Sequence, residues 1–203
     1  MENLVRQSIG AEVFAAGSTP LKTYLPDGDI DLVAFLPATA GDDWVVSVIE
    51  ALFTASEDAD DDSSYPPLKV RNVSFINADV KLVRCSVDNI SVDIAANTCT
   101  SLVAMAFLES VDRWIGSNHL YKRSILAIKS WAHRESPTTS KSGEAMLGSG
   151  QGGLSAYALQ VLILALFNAH SMEIKHPFHA VILFFEEYAD FEWGSSCVTV
   201  DGP

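Results

Sequence analysis

Up to residue 96 the chain is written mostly in short apolar runs of strand type; from residue 98 onward its apolar positions recur at helical spacing. Residues 2–9 predict a short helix and residues 12–16 a compact strand that ends at Gly17-Ser18. Ser18 reads as an N-cap, and Pro20 tolerates an early helical position, so 18–24 predicts one or two helical turns. Pro26-Asp27-Gly28 is a turn. Residues 29–36 begin by alternating polar and apolar and then become wholly apolar, as a strand entering a core does. Residues 43–55 predict a helix, and 68–76, 79–86 and 90–95 predict three further strands. Four helices follow, over 102–114, 120–133, 154–169 and 178–188, with a Ser/Thr/Gly-rich loop at 135–153. The join near 97–100 separates a mixed α/β part from a helical part, so the fold class is α+β.

Composition narrows the class. The 203 residues are 48% hydrophobic and 19% charged, which excludes disorder over most of the length. Cys85, Cys99 and Cys197 have no paired spacing, which excludes a disulfide scaffold and suits a reducing compartment. The start lacks the apolar run of a signal peptide, and the longest apolar stretch, 154–169, is too short for a membrane span and contains Gln160. The expectation is an intracellular protein with no membrane partner, nucleus and cytoplasm not being distinguishable.

The net charge of −13 is unevenly spread. Residues 1–62 carry 13 acids and 2 bases, residues 63–141 carry 6 and 10, and residues 142–203 carry 7 and 1. A basic middle between acidic flanks can hold phosphates locally, although it steers a polyanion weakly. Five of the acids lie in the run 57–62, which reads as a solvated loop.

The candidate chemistry lies in the first part. Asp29 and Asp31 are two apart on a predicted strand and so project from one face. Asp93 sits among apolar residues of another predicted strand, where an acid is costly unless paired or coordinated. Three converging carboxylates repel, and a divalent metal with oxygen ligands resolves the conflict. Gly17-Ser18, opening a helix, suits a phosphate. Asp-x-Asp alone is weak, since Asp58 and Asp60 repeat it in a loop; the order of strand, Gly-Ser, short helix, turn, Asp-x-Asp strand and third-Asp strand is far more specific. His176-Pro-Phe-His179 lacks a placed third ligand and has Pro177 between its histidines, so it does not read as a zinc site.

That order resembles the DNA polymerase β-like nucleotidyltransferase superfamily. Residues 12–32, Glu-Val-Phe-Ala-Ala-Gly-Ser through Asp-Gly-Asp-Ile-Asp-Leu, are most similar to the non-templated poly(A) polymerase and terminal uridylyltransferase branch. Within it the likeness is to plant-type proteins with a poly(A) polymerase / oligoadenylate synthetase-like substrate-binding domain. Further matches are Asp79-Val-Lys-Leu-Val83, Ser91-Val-Asp-Ile94, Lys122-Arg-Ser-Ile125, Ile128-Lys-Ser-Trp-Ala132, Leu154-Ser-Ala-Tyr-Ala-Leu159 and Phe191-Glu-Trp193.

The resemblance implies a palm-like catalytic domain with a mixed sheet over 1–97, followed by a helical substrate-binding domain over 98–203. Asp29 and Asp31 would bind two magnesium ions, with manganese as an alternative. Asp93 would bind the catalytic one and help activate an RNA 3′-hydroxyl. Gly17 and Ser18 would hold the triphosphate, Asn97 would meet the ribose, and Lys129 would meet the triphosphate, with Lys122 nearby on the same matched helix. His133 stands where many relatives place a second lysine. Ala156 replaces the usual hydroxyl before the tyrosine, leaving Ser155 about 100° away round a helix. Tyr157 and Tyr188 are candidates for base stacking, against the commoner reading of such aromatics as core. Relatives continue into an Asn-Asn-x-Gly-Arg-Ser-type segment; this sequence stops at Gly202-Pro203, and the expectation is a C-terminally truncated member.

The function implied is template-independent addition of ribonucleotides, AMP ahead of UMP, from a nucleoside triphosphate to RNA 3′ ends. The alternative is a catalytically impaired member acting as an RNA-binding or scaffold subunit. A small-molecule adenylyltransferase fits the two-part organisation less well.

Overall fold

A computed structural model of the chain describes residues 1–37, 43–57, 68–135, 146–147 and 153–200. The acidic run beyond residue 57 and most of the 135–153 stretch, both read as loops, lie outside the described residues. The chain forms two compact units, Met1–Ala106 and Phe107–Pro203, the division falling inside a helix.

The first unit runs α1 (Glu2–Ile9), β1 (Glu12–Ala16), α2 (Ser18–Leu21), β2 (Ile30–Phe35), α3 (Trp44–Glu57), β3 (Val70–Ile76), β4 (Leu82–Val87) and β5 (Ile90–Ala96). The strands form one sheet in the order β1-β2-β5-β4-β3. β2 and β5 are parallel and every other pair is antiparallel, so the sheet is mixed. Strand alternation gives the sheet two unlike faces. Val13, Leu32, Ala34, Val83, Cys85, Val92 and Ile94 point to one face, where Val5 of α1 and Trp44, Val48 and Leu52 of α3 bury them. Asp31, Asp93 and Arg84 stand in register on the opposite face, together with the partly exposed Phe14 and Phe35.

Two local expectations are corrected. Residues 79–81 are not strand: β3 and β4 pair only as far as Ile76↔Leu82, and the intervening residues make the connection. Ser18 is not the cap of α2 but its first residue; Gly17 is the cap, with φ 69° and ψ −143°, a conformation that suits glycine alone.

In the second part α4 (Thr100–Ile115), α5 (Leu120–Glu135), α6 (Ala156–Ala169) and α7 (Pro177–Ala189) replace the four predicted helices. α6 is the inner helix, with Leu159, Gln160 and an unbroken run from Leu162 to Phe167 buried. Leu154 lies before it, paired with Leu147, and Ser155 caps it by accepting from Ala158 N at 3.1 Å. Pro177 does not break α7 but opens it at a position where no amide donor is needed, behind His176 as cap. Among the described residues no helix is long and apolar enough to cross a membrane.

Charge is buried between α4 and α5. Gly116, Ser117, Asn118 and His119 all have φ between 48° and 64°, a left-handed run that costs energy at each non-glycine residue. Asp112, fully buried, holds the run together: His119 Nδ1 lies 2.6 Å from its carboxylate, and the Lys122 amide donates to it at 3.2 Å. Lys122 Nζ in turn lies 2.5 Å from Glu109 and 3.7 Å from Asp112.

At the end of α6, His170 is flanked by Glu173 at 3.2 Å and by Glu187 of α7 at 3.5 Å. The hydrogen bond to Glu173 and then that to Glu187 raise its pKa above the ordinary value, against the opposing effect of burial. The stabilisation should therefore be complete below the ordinary histidine pKa of about 6.5 and be lost as pH rises through the raised folded value. His170→Gln is expected to cost a few tenths to about 1 kcal/mol at pH 5.5 and nothing at pH 9. Urea titrations at the two pH values check this; an equal cost at both would assign the loss to packing.

Candidate active site

Each acid reaches the open face of the sheet by a different route. Asp31 is carried by β2 and stands opposite Ala16 of β1 on one side and Asp93 of β5 on the other. Asp29 lies just before β2, after the turn closed by Gly28 N donating to Leu25 O at 2.8 Å, and the Thr19 hydroxyl donates to its carbonyl at 3.4 Å. One carboxylate oxygen from each of Asp29, Asp31 and Asp93 lies within 4.8 Å of the others. Among the described residues they are the one such group of acids, histidines or cysteines. Three hard oxygen donors at this spacing fit a magnesium or manganese ion, and the cluster faces solvent, through which a cation can enter.

The glycine before α2 shapes this cluster. A Cβ built on Gly17 would sit 2.0 Å from Asp31 Oδ2, so the absence of a side chain there is what lets the carboxylate take its position. Gly17→Ala is expected to lose at least ~1–3 kcal/mol through forced φ and displacement of Asp31. Chemical denaturation measures it; a stability within ~0.5 kcal/mol of the parent would show that the strand and helix shift apart at little cost.

Arg84 of β4 brings a cation to the site that the sequence analysis does not single out. Its Nε donates to Asp93 Oδ1 at 2.7 Å and its Nη2 to Asp93 Oδ2 at 2.6 Å, a two-pronged clamp across the hairpin. The acids raise its pKa further, through the Asp93 hydrogen bond first and then the charges of Asp93, Asp29 and Asp31. Its neighbour Cys85 points to the covered face, where burial and, to a lesser extent, Asp93 push the thiol up to about 11. A signal for Arg84 exists in the sequence. Asp88 and Asn89, both at positive φ, form a two-residue hairpin turn between β4 and β5, and that turn sets Arg84 opposite Asp93.

The other sequence candidates are placed as follows. Ser18 starts α2 beside the acids, its carbonyl accepting from Thr23 N at 2.9 Å. Asn97 continues the β2–β5 ladder: its amide donates to Ala34 O at 2.8 Å and its Oδ1 accepts from Leu36 N at 2.9 Å. In the helical unit Lys129 is half-buried on α5, with His133 exposed one turn on. Lys122 is buried in the ion cluster with Glu109 and Asp112, and the Ser155 hydroxyl caps α6. Tyr188 is buried, its hydroxyl donating to Leu162 O at 2.8 Å, with burial holding its pKa at about 12. Tyr157 is 48% exposed.

The fold is that of the polymerase β-like nucleotidyltransferases. Residues 115–203 match the PAP/OAS1 substrate-binding domain family. The structure of the polymerase core of TRAMP, an RNA surveillance complex, is similar over 95% of this chain and 56% of its own, with TM-score 0.68 and 19% identity. A structure of the GLD-2/RNP-8 complex is similar over 98% of this chain and 79% of its own, with TM-score 0.65 and 13% identity. The RNA terminal uridylyl transferase Cid1 is similar over 82% of this chain and 45% of its own, with TM-score 0.59 and 17% identity. The chain thus spans about half the length of Cid1 and of the TRAMP polymerase core. No curated protein sequence matches it.

Proposed function

We propose that the protein is a template-independent nucleotidyltransferase that adds ribonucleotides from a nucleoside triphosphate to RNA 3′ ends. The observation that carries the reading is the convergence of Asp29, Asp31 and Asp93 within 4.8 Å on the uncovered face of a polymerase β-like sheet. Asp29 and Asp31 would hold both divalent ions and Asp93 one of them. When bound, the ions supply charge stabilisation to the entering and leaving oxygens of an in-line phosphoryl transfer.

The protein's own part is placement and proton handling. Asp93 orients the attacking 3′-hydroxyl and favours loss of its proton. Gly17 keeps the Asp31 carboxylate at its station and, with the Ser18 amide, offers backbone donors to the triphosphate. On the helical unit Lys129 is the phosphate cation and Tyr157 the stacking surface for a base. ATP is the favoured triphosphate and UTP the second, by resemblance to the poly(A) and poly(U) polymerases. Solved structures of RNA-extending proteins with this fold, and the substrate-binding domain matched by 115–203, support RNA as acceptor.

The test is extension of a 5′-labelled oligoribonucleotide with magnesium and each of the four triphosphates separately. Ladders of added nucleotides that vanish with EDTA are the expected result. RNA retention with no extension by any triphosphate would replace the enzyme with an RNA-binding subunit.

A further inference from the structure

The acid cluster has a cation of its own. The Asp93 side chain is 14% exposed, and both its oxygens are taken by the fork of Arg84. The fork is not an accident of a mobile side chain. The two-residue Asp88-Asn89 turn fixes the register Val87↔Ile90, Cys85↔Val92 and Arg84↔Asp93, so the two residues share a face and stand directly opposite. An arginine that meets a carboxylate with two parallel hydrogen bonds occupies the lone pairs that a metal ion prefers. It also offsets one of three negative charges gathered in one place.

From this geometry we infer that Arg84 is a positioning residue that competes with the divalent metal for Asp93. The site then takes up metal weakly by itself and more strongly with a triphosphate, whose added negative charge compensates for the guanidinium. The inference rests on the proposed metal-binding role of the three aspartates and concerns how the site is regulated. Arg84 holds Asp93 in place while the site is without metal and cedes its oxygens when metal and nucleotide arrive together. The charge of Arg84 is half-exposed, so the guanidinium has room to swing out without unpacking the sheet.

The measurement is manganese binding to the full chain without nucleotide, read from loss of the free-ion electron paramagnetic resonance signal, with circular dichroism confirming the fold. Arg84→Gln is expected to tighten binding by about tenfold, the effect of removing one competing hydrogen-bonded charge. Arg84→Lys, a point charge without the fork, should fall between parent and Arg84→Gln. In EDTA, Arg84→Gln should melt below the parent, and added manganese should close the gap. In an Asp93→Asn background, Arg84→Gln should no longer change manganese affinity.

Asp31→Asn separates the two levels of the argument. Manganese binding that Asp31→Asn abolishes supports the metal site; Arg84→Gln binding no tighter than the parent would then overturn the competition alone. Manganese binding that is absent from both the parent and Arg84→Gln would overturn the metal site and the competition together, leaving a plain ion pair. Binding detected only in Arg84→Gln, and lost with Asp31→Asn, would support both.

Discussion

Asp93→Asn is expected to lower the rate of nucleotide addition by about 10³-fold or more, a loss of ~4 kcal/mol of transition-state stabilisation. The amide is nearly the same size as the acid and keeps one oxygen for Arg84, so the sheet should remain folded. What it lacks is the charge that, in the proposed reaction, would help retain the metal and draw the proton from the 3′-hydroxyl. Stability need not fall with activity. In metal-free buffer the substitution weakens the ion pair with Arg84 but relieves repulsion with Asp29 and Asp31, whose oxygens lie within 4.8 Å, and the two effects oppose. Single-turnover extension at saturating triphosphate is the measurement. A rate within tenfold of the parent would remove Asp93 from the proposed chemistry, whatever the other acids do.

Asp112→Ala should have the largest effect on stability, a loss of about 3–5 kcal/mol, because it breaks a buried ionic network on one side only. Lys122 would stay buried with Glu109 as its one remaining acid, while its backbone amide and His119 lose their acceptor. The left-handed run 116–119 would lose the bond that ties it down. Asp112→Asn should cost less, since it retains an acceptor for the Lys122 amide. Urea unfolding followed by circular dichroism gives both values. A loss under 1 kcal/mol for Asp112→Ala would mean that water replaces the carboxylate and that the run holds itself.

Local residue order made most of this architecture readable. Residues 12–16 and 30–35 alternate so that one set of side chains is apolar and the other carries the acids, and the helical spacing after Thr100 is unbroken within each element. The Asp-x-Asp spacing and the mid-strand Asp93 were legible as a pair of facts; their meeting depends on the parallel pairing of β2 with β5, which no local pattern encodes. Ser18 misled because a serine after glycine has the look of a cap, whereas the close approach to Asp31 forces Gly17 into that place. Within a strand a single arginine such as Arg84 reads as an ordinary outward residue until the opposite strand is in register. Lys122 is a substrate-binding candidate by resemblance alone. Its burial follows from Glu109 and Asp112 on the preceding helix, a relation that a left-handed corner creates and periodicity cannot show.

The order in which contacts become affordable to a folding chain differs sharply among the three acids. Arg84 and Asp93 are nine residues apart on one hairpin and meet as soon as that hairpin closes. Asp31 meets Asp93 only when the long crossover through α3 and β3 has been closed, a step with a larger entropy cost. The β4–β5 hairpin can therefore close with its acid already paired, and like charges confront one another only when β2 joins β5. A chain with glutamine at position 84 would meet that repulsion undiminished when the two strands join. It should refold more slowly in EDTA than the parent, and divalent metal should restore its speed.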